Sequence, residues 1–382
     1  MLENFSIWGT GPIGWLIPFL FVLSVIVFFH ELGHFWVARR CGVRVLTFSV
    51  GFGPEIFGFN DKHGTRWKIS AIPLGGYVKF FGDENAASVP DHETAAQMNA
   101  EERKVSFFHK PVAQRAAVVA AGPIANFILA IAIFAGIFLV YGKQITSARI
   151  SDVQSGSVAA QAGFQAGDLV VAINDKPIES FSDMQRIVSV NAGNQLKFEV
   201  ERTGTRQVIM ATPAIREVKD KFGNVSRVGM LGLTRTMAPG DVRTESVGPV
   251  KAITMGFEQT WFVIDQTMTY LGRVVMGRES ADQLGGPIKI AQVSGQMASL
   301  GLLPILHLAA VLSVSIGLLN LFPIPLLDGG HLLFYAIEAI RGKPLSERAQ
   351  EYGFRVGLAL VVMLMVFATY NDVSGLIARL GS

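Results

Sequence analysis

Hydrophobic positions in this chain fall in long unbroken blocks rather than in the short alternations of a soluble domain. Four regions are apolar for long enough to cross a bilayer, which takes about 20 residues of helix: residues 12–38, 112–141, 302–340 with a break inside, and about 352–369. The polar positions between the blocks give their direction. Arg39, Arg40, Arg44, Arg103, Lys104, Lys110 and Arg115 border the first loop, Arg341, Lys343 and Arg348 fill the last, and no Lys or Arg precedes the first block. Basic loops stay on the cytoplasmic side, so both termini and the long segment 142–300 are expected outside.

Shorter patterns fill the gaps. In the first loop, residues 49–54 and 67–80 read as β-strands punctuated by Gly and Pro. They are too apolar for a plain surface loop, which leaves a hairpin capping the protein or one dipping into the membrane. Residues 83–104 are polar and read as exposed. Gly122-Pro123-Ile124-Ala125-Asn126 reads as the opening of the second span, since proline suits a helix start. Asn126, polar at membrane depth, is expected to hydrogen-bond a neighbouring helix as packing glue. Between 250 and 300, Trp261, Phe262, Ile264 and Met268 recur at helical spacing. They predict amphipathic helices on the outer surface, against the spans or against the outer domain.

Composition narrows the class. A length of 382 residues has room for two or three domains. Only 16% of the residues are charged and mean hydropathy is +0.39, against about a quarter charged in a soluble globule. A net charge of +3 without a basic stripe gives no case for nucleic acid. Cys41 is the only cysteine, so neither an internal disulfide nor a cysteine metal site can form. The first block lacks a basic n-region and a small-residue cleavage site, so it is expected to stay as a span and not to be a signal peptide.

The chemistry sits inside two of these blocks. Residues 28–34 read Phe-Phe-His-Glu-Leu-Gly-His. On a helix, His30 and His34 lie one turn apart on one face, where both can ligate one Zn²⁺, and Glu31 beside them can take a proton from water. No ionisable side chain lies between Pro12 and Phe29, so the cluster is buried at membrane depth, where such groups are functional by default. Helical rise puts Glu31 about 12 Å and His34 about 8 Å from the Arg39 boundary. The third block ends Asn320-Leu-Phe-Pro-Ile-Pro-Leu-Leu-Asp328-Gly-Gly-His331. Two prolines break the helix, and broken backbone at this depth must line a cavity or be buried in protein. Asp328 is the preferred third ligand because it sits on that irregular backbone, and His331 is its rival. Two histidines and one carboxylate leave a fourth position open, the catalytic arrangement.

Two resemblances add to this reading. The run from Ser155 through Gly163, Gly167, Asp168, Ile173 and Asn174 resembles a PDZ domain over residues 148–213, a module that binds extended peptides and captures C-termini. As a whole, the chain resembles the site-2 proteases, most closely their regulator of sigma-E protease branch. The resemblance rests on His-Glu-x-x-His, Gly-Pro-x-x-Asn, the PDZ-like segment and Asn-x-x-Pro-x-Pro-x-x-Asp-Gly-Gly. It implies one Zn²⁺ held by His30, His34 and Asp328, Glu31 as general base, and Asn320 on the substrate backbone. It also implies a membrane-re-entrant β-loop at residues 72–80, with Gly75, Gly76, Tyr77, Val78, Lys79 and Phe80 against substrate. The implied substrates are single-span proteins of a bacterial inner membrane, such as anti-sigma factors already trimmed outside, and leftover signal peptides. This chain departs from the best-known members in having room and signature for one PDZ-like domain instead of two.

The expected architecture is a polytopic α-helical membrane protein of about four spans, with a cytoplasmic-side membrane-dipping β-hairpin and one periplasmic PDZ-like α+β domain. In order these are a first span (1–41), a cytoplasmic loop (42–111), a second span (112–142), the PDZ-like domain (143–240), amphipathic helices (241–301), a broken third span (302–341) and a fourth (342–382). Two other readings use the same residues. A non-catalytic membrane adaptor would present the outer domain and bind no metal. An ion-coupled transporter would use the intramembrane His, Glu and Asp as relays, but such proteins are expected to show repeated halves, and none is visible.

Overall fold

The structure is a computed structural model, and it describes residues 11–83, 97–219, 225–235, 242–277 and 285–380. Most of the polar segment read as exposed, residues 84–96, lies outside the described residues. In chain order, α1 (Gly11–Arg40) leads into β1 (Val45–Asn60), β2 (Arg66–Phe80), α2 (Ala100–Val105) and α3 (Val112–Tyr141). The middle segment holds β3 (Lys143–Thr146), β4 (Asp152–Val153), α4 (Val158–Ala162), β5 (Leu169–Ile173), β6 (Lys176–Pro177), α5 (Phe181–Val190), β7 (Leu196–Arg202), β8 (Thr205–Ala211), β9 (Ala214–Lys219), β10 (Val225–Met230), β11 (Leu233–Thr234) and β12 (Val242–Glu245). Then come α6 (Pro249–Val275), α7 (Pro287–Ser299), α8 (Leu302–Asn320), α9 (Asp328–Arg341) and α10 (Glu347–Leu380). The chain divides into two compact units, residues 1–136 with 253–382, and residues 137–252.

Helices α1, α3, α8 and α10 are long and apolar enough to cross a membrane. Two of them meet where side chains are smallest. At Gly33 of α1 a Cβ would collide with the backbone of Ala121 in α3, so this crossing requires glycine. Pro123 lies inside α3 and not at its start, contrary to the expectation from sequence. A membrane helix tolerates proline in its interior because packed neighbours and local adjustments re-satisfy the freed backbone.

The third apolar block is two helices. Leu321–Leu327 separate α8 from α9, with Pro323 and Pro325 unable to donate to a helical ladder and Leu326 at φ +94°. Asp328 is the first residue of α9, with Leu327 as its N-cap. It therefore adjoins the irregular backbone instead of sitting on it. Gly329 and Gly330 lie so close to the carbonyls of Leu321, Phe322 and Ile324 that neither has room for a Cβ. This contact holds the start of α9 against the break. Further on, Asp372 of α10 accepts from the N–H groups of Gly286, Ile288 and Lys289 at 2.8–3.0 Å, satisfying the donors at the start of α7 that have no partner within the helix.

Strands β1 and β2 form one long antiparallel hairpin, from Val45 opposite Phe80 to Asn60 opposite Arg66. The hairpin also folds over itself, because Thr47–Val50 lie beside Arg66–Ile69 as well as beside Gly76–Lys79. Phe48 stacks on Trp67 at 4.3 Å between ring centroids, and the hydroxyls of Ser49 and Ser70 meet at 3.1 Å. The segment Gly76–Val78 has β1 as its only strand partner, which makes it an edge, and at Phe80 the N–H donates to the Asp83 carboxylate at 2.8 Å. Around the bend, Phe52, Ile56, Phe57, Ile72 and Leu74 are exposed.

The second unit is built on the sheet β6-β5-β7-β8, over which α4 and α5 pack. Phe164, Val170, Ile173, Met184, Leu196, Phe198 and Val200 fill its core. Strand β12 pairs with β3, closing the unit near both of its ends. Its one fully buried carboxylate among the described residues is Asp168, gripped by Arg202 through Nε at 2.7 Å and Nη2 at 2.8 Å. Burial pushes this carboxyl up, but the guanidinium and the N–H of Gln165 together hold it below the usual carboxylate range.

Candidate metal centre

Helical periodicity brings His30 and His34 together on α1, and the break before α9 brings Asp328 to them. Nε2 of His30 and Nε2 of His34 are 3.3 Å apart, and Oδ2 of Asp328 lies 3.2 Å from the first and 3.5 Å from the second. Two donors bound to one tetrahedral zinc at about 2.0–2.1 Å stand about 3.3 Å apart. The three observed spacings match the edges of such a tetrahedron. Oδ2 of Asp328 is buried with no hydrogen-bond donor, which an uncompensated carboxylate does not tolerate. Two imidazoles and a carboxylate, converging with an orphaned oxygen between them, fit a zinc ion. Among the described residues these three form the only such cluster. His331, the rival ligand, lines the same cavity but lies outside the cluster.

The far side of each imidazole is also held. Nδ1 of His34 lies 2.9 Å from the carbonyl oxygen of Val118 in α3, and Nδ1 of His30 lies 3.2 Å from the carboxamide of Asn126. The neighbouring helix that Asn126 bonds is therefore α1, and its partner there is a candidate ligand. Gly122 presses against both histidines, and a Cβ at this position would strike Nε2 of His34. The Gly-Pro-x-x-Asn run thus lies beside the metal cluster in the interior of its helix.

The cavity in front of the cluster is lined by Glu31, Gly76, Tyr77, Val78, Phe80, Asn320, Leu326, His331 and Tyr335, among others. Of the hairpin residues expected to meet substrate, Gly75 and Lys79 are not part of this lining. Gly75 makes the bend at φ +99° against Phe52, and Lys79 sits opposite Thr47. At Gly76 a Cβ would come within 2.7 Å of the Ser49 carbonyl oxygen and 3.1 Å of Cγ of Glu31, so the edge strand runs directly against the candidate base. Asn320 ends α8 at the cavity wall.

Two partners of this site carried no readable signal in the sequence. Tyr335 faces the cavity one turn beyond His331, and Arg115 of α3 lies 4.9 Å from its ring centre. Arg115 also bonds Glu338 at 2.6 Å, joining α3 to α9 through a mostly buried ion pair. These contacts join residues far apart in the chain, and no local spacing foretells them.

Comparison with known proteins points the same way. The description "Peptidase family M50" matches residues 18–364. An Agrobacterium fabrum protein named provisionally as a zinc metalloprotease is 51% identical over 364 residues, covering 95% of this chain and 97% of its own. Metalloprotease MmpA of Caulobacter vibrioides is 44% identical, covering 94% and 95%. The regulator of sigma-E protease RseP of Salmonella typhimurium is 32% identical, covering 94% and 98%. That last alignment runs over 458 positions against a chain of 382 residues, so the relative carries segments with no counterpart here.

Proposed function

The chain belongs to peptidase family M50, the site-2 proteases, and is a multi-pass membrane zinc metalloprotease; from that footing we propose that it hydrolyses peptide bonds within the membrane-spanning segments of single-span proteins. The observation that carries this is the tetrahedral spacing of His30 and His34, on the spanning helix α1, and Asp328, at the start of α9, beside Glu31 and the strand Gly76–Val78. The adaptor and transporter readings give way to the protease on family membership.

In this reading His30, His34 and Asp328 hold the zinc. When bound, the ion lowers the pKa of a water toward neutrality and polarises the scissile carbonyl. Glu31 takes the proton from the attacking water and delivers it to the leaving amine. The Asn320 carboxamide donates to the substrate backbone near the reacting carbonyl. A transmembrane substrate arrives with its peptide groups already hydrogen-bonded in a helix, so it must unwind before attack. The outer side of Gly76–Val78, in a strand that packs against Glu31, offers replacement hydrogen bonds by strand addition.

Residues 148–213 act as a PDZ-like filter or docking platform that admits substrates already trimmed outside and captures their new C-termini. The basic loops support a site toward the cytoplasmic face of a bacterial inner membrane, with the termini and the PDZ-like unit in the periplasm. Anti-sigma-factor-like proteins in regulated intramembrane proteolysis, and remnant signal peptides, are the substrates that fit such a gate.

The test uses the full chain in detergent with a trimmed single-span substrate. Wild type and Glu31→Gln are each expected to bind about one zinc, while only wild type cuts and a chelator abolishes cleavage. Cleavage by Glu31→Gln at the wild-type rate would overturn the assignment of the base.

A further inference from the structure

We propose that Asn126 is a positioning residue that locks the imidazole of His30 in the tautomer and orientation able to bind the metal. This rests on reading His30 as a ligand. Asn126 is completely buried in α3, and one end of its carboxamide lies 3.2 Å from Nδ1 of His30. The other end, Oδ1, is buried without a partner. A histidine that gives Nε2 to a metal carries its proton on Nδ1, and that proton needs an acceptor. A carboxamide turned by 180° occupies the same space with its oxygen and nitrogen exchanged. The amide that serves a metal-binding His30 therefore presents Oδ1 to the Nδ1–H. This turn converts the contact into a donor–acceptor bond and gives the orphaned oxygen its partner.

The rest of the residue is pinned so that it can do this. The carbonyl oxygen of Asn126 accepts from the hydroxyl of Ser313 in α8 at 2.8 Å. Gly317, one turn further along α8, leaves just enough space for the Asn126 side chain, since a Cβ there would stand 3.2 Å from its Cβ. His34 has its own fixed acceptor in the Val118 carbonyl. Each candidate ligand on α1 thus leans on α3, one on backbone and one on a side chain. Only the acceptor for His30 can be removed by substitution.

The experiment measures zinc affinity by chelator competition, with no substrate present, in full-length wild type, Asn126→Asp, Asn126→Leu and His30→Ala. The visible spectrum of each cobalt-loaded protein and the melting temperature of each metal-free form are recorded alongside. Asn126→Leu is expected to bind zinc about 10–100-fold more weakly and to shift the cobalt spectrum, while Asn126→Asp, which keeps an acceptor, stays within a few-fold of wild type. Wild-type affinity and spectrum in Asn126→Leu would overturn the proposal. So would equal losses in both variants together with lowered melting of the metal-free forms, because that pattern belongs to helix packing. Wild-type affinity in His30→Ala would instead remove His30 from the ligand set, an outcome distinct from the other two.

Discussion

Gly122 and His34 are in such close contact that the α3 backbone itself shapes the metal pocket: no side chain beyond hydrogen fits between them. Gly122→Ala is therefore expected to displace the imidazole while putting a better helix former into the helix. Zinc affinity should fall at least about 10-fold, in the range seen when the support of a ligand is disturbed. Chelator competition checks this, and circular dichroism should show an unchanged helical content.

The ligand set makes a second contrast testable. His331 shares the cavity but not the cluster. His331→Ala should retain one zinc per chain, whereas Asp328→Ala should lose it. Metal analysis after gel filtration decides the matter, and retention in the second variant would remove Asp328 from the ligand set.

Substrate sequence should matter through helix stability. A span carrying Gly, Pro, Ser or Asn near its cleavage site unwinds at lower cost than an all-Leu span. The polar variant is expected to be cut faster in detergent and in liposomes alike. Equal rates for the two would mean that unwinding onto Gly76–Val78 does not limit the reaction.

Removing residues 148–213 should loosen selectivity while leaving zinc bound and cleavage of short substrates intact. The readout is the ratio of cleavage rates for an untrimmed and a trimmed substrate, which should move toward one. Loss of all cleavage in a folded, zinc-loaded deletion variant would exclude a filter role.

In the second unit, stability should depend on pH through Asp168. Its folded pKa lies below the unfolded value, so its contribution is fully present above about pH 4 and fades as pH falls through the folded value. Arg202→Ala removes the guanidinium from the buried carboxylate and should cost about 1–3 kcal/mol at pH 7. Hydrogen exchange of β5 and β7 in the intact protein should show that loss, and the gap to wild type should narrow in acid.

Much of this protein is determined by local sequence. Spans follow from unbroken apolar runs, since a bilayer demands both length and an internally bonded backbone. His30, Glu31 and His34 share a neighbourhood because the helical repeat alone puts them there. Beyond that reach the sequence leaves choices open, and contacts between distant segments decide them. Asp328 and His331 adjoin the same break, and only the packing of Gly329 and Gly330 on its carbonyls turns one of them toward the histidines. Pro123 reads as a helix start, yet it lies mid-helix because a packed neighbour at Gly33 and the surrounding spans outweigh a local preference. The edge at Gly76–Val78 exists because the hairpin folds back on itself, pairing one side of that strand with β1 while its face packs on Glu31. Glycine and proline punctuation of an apolar run predicts that strands form; which strand ends at an edge is set by what else the chain packs beside it.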